Sequence, residues 1–247
     1  MGLFNHNYNT PGKGVSKEGR QKTVLFRFFE LFFGKFWQLL VLNALYLLMC
    51  LPVVTIGAAS AGFTYCLKNI IAGKPIFVAH DFFKGFKNNW KQGTVMMLIN
   101  AVVTVVLLVA FSFYLDAEVI PVEGLRIAFT IFLGAIAILY CMMQFYTYLL
   151  MVTFDIKFSA LLKNSFLFIV LGIKENLIAM FFTLVYVVLI IWGLFPFSII
   201  LVVLFLPALM GTTVNFIVYP VVKRIMIDPY EQEQNNEEER IFEDDVK

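Results

Sequence analysis

Long runs of apolar residues constrain this chain more than any other feature. Four regions are almost free of charged side chains, and they cover about 36–73, 93–115, 125–152 and 177–222. A helix needs about 20 mostly apolar residues to cross the hydrocarbon core of a bilayer, so each region can hold at least one crossing. With 60% hydrophobic and 15% charged residues over 247 positions, the chain departs from the composition of soluble domains. The sequence therefore predicts an integral membrane protein.

The first and last apolar regions are too long for one crossing. Pro196-Phe197-Ser198 divides the last region, and the segment 52–57 divides the first, because proline disfavours helix continuation and glycine permits a tight reversal. The predicted fold class is an all-α integral membrane protein of three helical hairpins. Its six membrane-spanning helices are expected at about 33–51, 56–73, 93–115, 125–152, 177–195 and 198–220.

The basic residues fall on one side of this arrangement. Lys and Arg accumulate in the short cytoplasmic segments of membrane proteins. Here they concentrate before the first crossing, in the 74–92 and 153–176 loops and at the start of the tail, whereas the connections at 52–57, 116–124 and 194–198 hold none. The sequence therefore predicts a multi-pass protein of the plasma membrane with both termini in the cytoplasm. A re-entrant loop in place of the first hairpin preserves the same sidedness and stays open as an alternative.

A short amphipathic stretch precedes each helix that leaves the cytoplasmic side. The three stretches cover about 25–36, 82–91 and 158–166, where apolar residues recur at the helical period. Basic amphipathic segments of this kind lie in the membrane interface. We therefore expect a unit that is used three times and consists of an interfacial helix, a helix out and a helix back. The interfacial helices either seat the bundle at the inner surface or dock a partner.

The two ends of the chain differ from the six-helix membrane domain at 25–224. Residues 1–24 form a polar cytoplasmic segment that lacks the apolar core and small-residue cleavage site of a signal peptide. Residues 225–247 are rich in glutamate, and we expect an acidic, disordered cytoplasmic tail.

No arrangement of side chains in the sequence predicts catalysis. His6 and His80 lie in a polar tail and a loop, away from a matched nucleophile or carboxylate, and the cysteines have spacings that match no metal motif. We therefore assign no catalytic, cofactor-binding or metal-binding residue, and we expect no cofactor and no enzymatic activity. Cys50, Cys66 and Cys141 are interpreted as small buried apolar residues.

Ionisable residues are scarce at the predicted membrane depth, which argues against a proton relay. Lys68 lies one turn from the inner end of the second predicted crossing, where it can extend to the lipid headgroups. The other polar residues in the crossings are neutral, and such side chains serve helix packing more often than transport. If a polar pocket exists, we expect it at Asn43 and the cluster Thr212–Asn215. A transport path would run through Asn43, Gln144 and Asn215.

Two motifs resemble the signature of a known family. The first runs from Phe36-Trp37 and Leu42-Asn43 to Leu51-Pro52-Val53-Val54-Thr55-Ile56-Gly57-Ala58-Ala59-Ser60-Ala61-Gly62-Phe63. The second is Asp81-Phe82-Phe83-Lys84 followed by Phe86-Lys87-Asn88-Asn89-Trp90-Lys91-Gln92-Gly93. Both are similar to the YesL-like family of small bacterial membrane proteins, which is classed as a domain of unknown function. The likeness is most specific over residues 30–95.

This resemblance implies an association with carbohydrate utilisation, because genes of the family commonly accompany those of sugar ABC transporters and glycoside hydrolases. It implies no functional residues. The coupling segment of ABC permeases carries a Glu-Ala-Ala and Gly pattern, which the three inner loops lack. We therefore expect an accessory or regulatory membrane subunit whose partners are the lipid bilayer and a sugar ABC-transporter permease, with no nucleic acid. The alternative is a small solute transporter or channel in its own right.

Overall fold

The computed structural model describes residues 23–116, 120–192 and 198–234, with side chains described except at 191–192 and 198–204. These residues form nine α-helices and contain no strand. A 3₁₀ turn, Val53–Thr55, joins the second helix to the third. The helices are α1 (Val24–Gly34), α2 (Phe36–Cys50), α3 (Ile56–Ile71), α4 (Val78–Asn88), α5 (Trp90–Leu115), α6 (Glu123–Met151), α7 (Phe158–Leu171), α8 (Ile173–Trp192) and α9 (Ser198–Val222).

The described helices repeat one plan three times. α1, α4 and α7 are short, and a single residue separates each from the helix that follows. These residues are Lys35, Asn89 and Gly172, with φ and ψ of −113° and 13°, −112° and 13°, and −113° and 31°. Each donates its N–H to the carbonyl four residues earlier and accepts from the N–H four residues later. A short helix therefore precedes each of α2, α5 and α8, near the positions where the sequence predicts the amphipathic stretches. The placement of these short helices at a membrane interface stays a prediction.

Four helical segments are long and apolar enough to cross a membrane, namely Trp90–Leu115, Glu123–Met151, Ile173–Ile190 and Phe205–Gln234. α1 and α2 together are also long and apolar enough to cross, but their axes are bent by 71° to each other. They add a fifth span only if the bent pair crosses the membrane as one unit. α3 has 16 residues, about 24 Å of helix against about 30 Å of hydrocarbon. Within its described residues the chain is thus a multi-pass membrane protein with four or five candidate spans, and the six predicted spans are not confirmed.

α3 is enclosed by the helices around it. It packs against α2, α4, α5, α6 and α9, and ten of its 16 residues are buried. Small residues make this possible, since they let helix backbones approach closely within a membrane. A Cβ on Gly57 would overlap the carbonyl of Gly93 in α5, and a Cβ on Gly62 would lie 2.6 Å from the Phe82 carbonyl oxygen in α4. Glycine is therefore required where α3 crosses these two helices.

The contact between Gly57 and Gly93 fixes the position of the turn between α2 and α3. Gly93 lies in the first turn of α5, which has 26 residues and extends for about 39 Å to Leu115. The turn at 52–57 therefore lies beside the beginning of α5, at the opposite end from Leu115. A plain hairpin was expected to carry this turn to the outer side. The observed contact instead favours the re-entrant alternative.

α9 continues past the end predicted for the last crossing at residue 220. It passes into a π-helical segment, Lys223–Ile227, and the helix extends to residue 234. The acidic tail predicted from residue 225 thus begins within this helix, since the backbone of 225–234 is helical. The rest of the predicted tail and residues 1–22 of the N-terminal segment lie outside the described residues.

The glycine contact between α3 and α5 should dominate the response to small substitutions. Gly93→Ala is expected to destabilise the protein by about 1–3 kcal/mol, because the added methyl group forces two backbones apart. Gly134→Ala is the matched control in the middle of α6, where nothing lies within 4 Å of the added Cβ. It should be neutral or stabilise by up to about 1 kcal/mol through helix propensity. Unfolding in mixed micelles measures both variants, and equal effects would contradict this assignment.

Candidate functional site

A cavity of about 1440 Å³ lies at the end of the bundle where basic residues collect. Its walls come from α1, the end of α3 with the loop that follows, the connection after α6, the first turns of α8, and the end of α9 with the helical segment that follows it. Each of these parts adjoins a segment that the charge distribution predicts to be cytoplasmic. We call it the inner cavity.

Charged side chains from distant parts of the chain meet in this cavity. The basic ones are Arg27, Lys35, Lys68, Lys74 and Lys223, and the acidic ones are Glu30, Glu175 and Glu231. The excess of positive charge favours an anionic ligand. In the sequence Arg27, Lys35, Lys74 and Lys223 serve only as markers of sidedness, and Lys68 is expected to extend to the headgroups. No spacing in the sequence indicates that these five residues converge. The cavity is therefore a site that sequence reasoning missed.

Lys68 is held in the cavity wall by two contacts. Its Nζ donates to the Val152 carbonyl at 2.9 Å and lies 5.0 Å from the centroid of the Tyr65 ring. Val152 is the C-cap of α6, and carbonyls at a helix C-terminus have no partner within the helix. The ammonium group thus caps α6 and interacts favourably with the negative end of the helix dipole. Lys68 was expected to extend to the headgroups, whereas its ammonium is bonded to α6.

Much of the remaining wall of the inner cavity is apolar. Leu31 of α1, Ile70 of α3, Phe154, Ile178 of α8 and Phe216 of α9 are among the residues that form it. A cavity with both charged and apolar walls can hold a ligand that has a charged group and an apolar body. The volume also exceeds the range of about 300–1,000 Å³ that is common for small-molecule pockets.

The polar residues singled out in the sequence lie inside the bundle but do not line the inner cavity. Asn43 of α2 is fully buried. In α9, Thr212, Thr213 and Asn215 each donate to a backbone carbonyl one turn earlier, at 2.6–2.8 Å. Thr213 also shares a 2.8 Å hydrogen bond with Tyr186 of α8. These bonds satisfy the two threonine hydroxyls and the Asn215 amide nitrogen, which fits the packing interpretation, whereas the Asn215 side-chain oxygen is buried without a hydrogen-bond partner among the described residues.

Gln144 differs, because both polar atoms of its amide are buried without a hydrogen-bond partner among the described residues. It lies one turn from Tyr148 on the same face of α6. Tyr148 and Tyr46 of α2 lie near Ser60 of α3, whose hydroxyl donates to the Ile56 carbonyl at 2.8 Å. Polar side chains of α2, α3 and α6 thus lie in the same part of the bundle as the buried Gln144 amide. Sequence reasoning named Gln144 but did not connect it to the tyrosines.

α5 and α6 extend as a hairpin away from the other helices. Among the described residues of α5, Gly93 and Met96 alone are buried, and the buried residues of α6 begin at Met142. Beyond these points Tyr140 donates to the Asn100 side-chain oxygen, which links the two helices. We call residues 97–115 and 123–141 the outer hairpin. Its apolar faces are available to lipid or to another membrane protein.

Removal of the Lys68 ammonium should weaken the attachment of α3 to α6. Lys68→Met keeps most of the apolar stem but loses the donor to the Val152 carbonyl, so we expect a loss of about 1–2 kcal/mol of stability. Lys87→Met is the matched control, since Lys87 is exposed on α4. Thermal unfolding in detergent measures both, and the assignment fails if Lys87→Met costs as much as Lys68→Met.

Comparison with known proteins adds one partial match. Residues 39–111 match the family model described as "Protein of unknown function, DUF624". This stretch begins in α2, includes α3 and α4 and reaches into α5, so it contains both glycine contacts of α3. Neither a curated protein nor a solved structure matches the chain. Over this part of its length the chain is similar to a family whose description names no activity.

Proposed function

We propose that the protein is a non-enzymatic accessory or regulatory subunit of the plasma membrane, which acts in carbohydrate uptake by contact with a sugar ABC-transporter permease. The outer hairpin carries this proposal, because it packs on little of its own chain. The motifs that resemble the YesL-like family supply the class of partner. The family match over 39–111 is compatible with that resemblance.

The outer hairpin has the properties of a surface that contacts other membrane helices. It exposes bulky apolar side chains on α5, among them Leu98, Val102, Val105 and Leu108. Asn100 is a polar residue among these apolar side chains. Its side-chain oxygen accepts from Tyr140, and its amide nitrogen takes no part in that bond. A carboxamide within a membrane is stabilised by hydrogen bonds across helices. A partner helix packed along α5 would provide both apolar contact and such a bond.

The proposed orientation puts the inner cavity and both termini in the cytoplasm. The positive-inside rule supports it, since the basic segments adjoin the cavity. In this arrangement α5, α6, α8 and α9 cross the membrane, while α2 and α3 enter from the cytoplasmic side and return to it. α1, α4 and α7 lie in the inner interface. The contact of Gly57 with Gly93 supports the re-entrant hairpin, and the sidedness of the basic loops is the same as with six crossings.

Cysteine labelling separates the re-entrant hairpin from six crossings. Val54 and Val122 are 70% and 57% exposed, so a thiol at either position is reachable. The native cysteines are first replaced by alanine; Cys66 is buried, and Cys50 and Cys141 are half-buried. On intact cells an impermeant maleimide should label Val122→Cys but label Val54→Cys only after permeabilisation. Labelling of Val54→Cys from outside would instead support six crossings.

Photocrosslinking tests the proposed partner contact. A photoreactive residue at Val105 in the outer hairpin should crosslink to an ABC permease subunit of the native host, identified by mass spectrometry. Val188 of α8 is the matched control, since the two side chains are 59% and 53% exposed. It should give no such product. A permease adduct from both positions, or from neither, would contradict docking through the outer hairpin.

A second candidate function is solute transport by the protein alone. The observation that favours it is the buried amide of Gln144, whose two polar atoms lack a partner among the described residues. A path would connect Asn43, Gln144 and Asn215, as the sequence suggested. Uptake of a labelled oligosaccharide by proteoliposomes that contain only this chain would favour transport over the accessory role, and loss of uptake in Gln144→Leu would assign the path.

A further inference from the structure

We propose that the inner cavity binds an anionic phospholipid. The headgroup phosphate lies near Lys68, Lys74 and Lys223, and the upper acyl chains lie along the apolar wall between α1, α8 and α9. This inference goes beyond the proposed function, because it concerns a ligand site in the inner cavity. The proposed partner contact lies on the outer hairpin.

The charges in the cavity suit a singly charged phosphate group. Five basic side chains stand against three acidic ones in the lining. The modest positive excess favours one phosphodiester over a ligand that carries several phosphates, which the three glutamates would repel. Basic pockets between membrane helices on the cytoplasmic side are a recognised mode of headgroup binding. Lys68 contributes an ammonium that its bond to Val152 already positions at 2.9 Å.

The apolar wall and the size of the cavity indicate a ligand with acyl chains. Ile70, Phe154, Phe216 and Ile217 line the interior, and a free phosphate ion would leave most of the 1440 Å³ unfilled. Apolar surface that stays in contact with water costs about 25 cal/mol per Å². Acyl chains cover the apolar wall of the cavity and exclude water from it, whereas a soluble anion leaves that wall hydrated.

The position of α1 provides a side entrance from the bilayer. α1 buries only Phe32 among its residues, and its Phe28 ring meets the Phe216 ring of α9 at 5.5 Å. Val24 of α1 and Ile178 of α8 line the cavity and are also exposed at the molecular surface. A lipid can therefore enter between α1 and α8 without passing through water.

The test uses the full-length protein purified in an uncharged maltoside detergent. Thermal unfolding is followed while phosphatidylglycerol, phosphatidylcholine or inorganic phosphate is added. The test variant is Lys74→Gln with Lys223→Gln, both exposed; Lys223 also lies 4.0 Å from Asp228. The control variant is Lys87→Gln with Lys163→Gln, which removes the same charge from exposed sites outside the cavity.

Phosphatidylglycerol should raise the unfolding temperature of the wild type and the control variant, and the other two additives should not. The test variant should bind roughly 25-fold more weakly, since each basic residue near an anionic headgroup contributes about 1 kcal/mol. An equal effect of phosphatidylcholine, or equal weakening in the control variant, overturns the proposal. An equal effect of inorganic phosphate would assign a soluble phosphate and exclude the lipid. If the test variant is unstable without lipid, Lys74→Gln alone replaces it.

Discussion

The backbone contact between Gly57 and Gly93 is the constraint on which the rest of the structure depends. Lipid is as apolar as the helices, so association within a membrane relies on close packing rather than on the hydrophobic effect. Two glycines let α3 approach α5 until their backbones touch. Enclosed in this way, α3 sets the position of Lys68 against the end of α6. The Gly57 contact therefore also fixes the cavity wall at Lys68, which lies about 11 residues, or about 16 Å, further along α3.

The three repeated units explain how one backbone plan yields different environments. Lys35, Asn89 and Gly172 bend the chain while the hydrogen bonds on both sides are kept. The helices after each bend differ in length, with 15 residues in α2, 26 in α5 and 20 in α8. A short hairpin can be enclosed by its neighbours, whereas a long one extends beyond them. The first unit therefore supplies the buried α3, and the second supplies the outer hairpin.

The inner cavity and the outer hairpin are two surfaces of different character at opposite ends of α5. The cavity gathers charge at the basic end, and the hairpin is largely apolar with one linked pair, Asn100 and Tyr140. The two proposals assign a lipid headgroup to the first surface and a partner helix to the second. α6 joins them physically, since its C-cap Val152 accepts from Lys68 and its outer half belongs to the hairpin.

The sequence by itself determined the membrane class and most of the helical segments, and it predicted a short helix before α2, α5 and α8, because apolar periodicity and charge are local properties. It identified Lys68 and Gln144 but not their partners. Tertiary structure alone decided that α3 is enclosed and that the turn at 52–57 lies beside Gly93. It also decided that five basic residues from three distant parts of the chain line one cavity. Hydropathy records how apolar a segment is, and not whether lipid or another helix covers it.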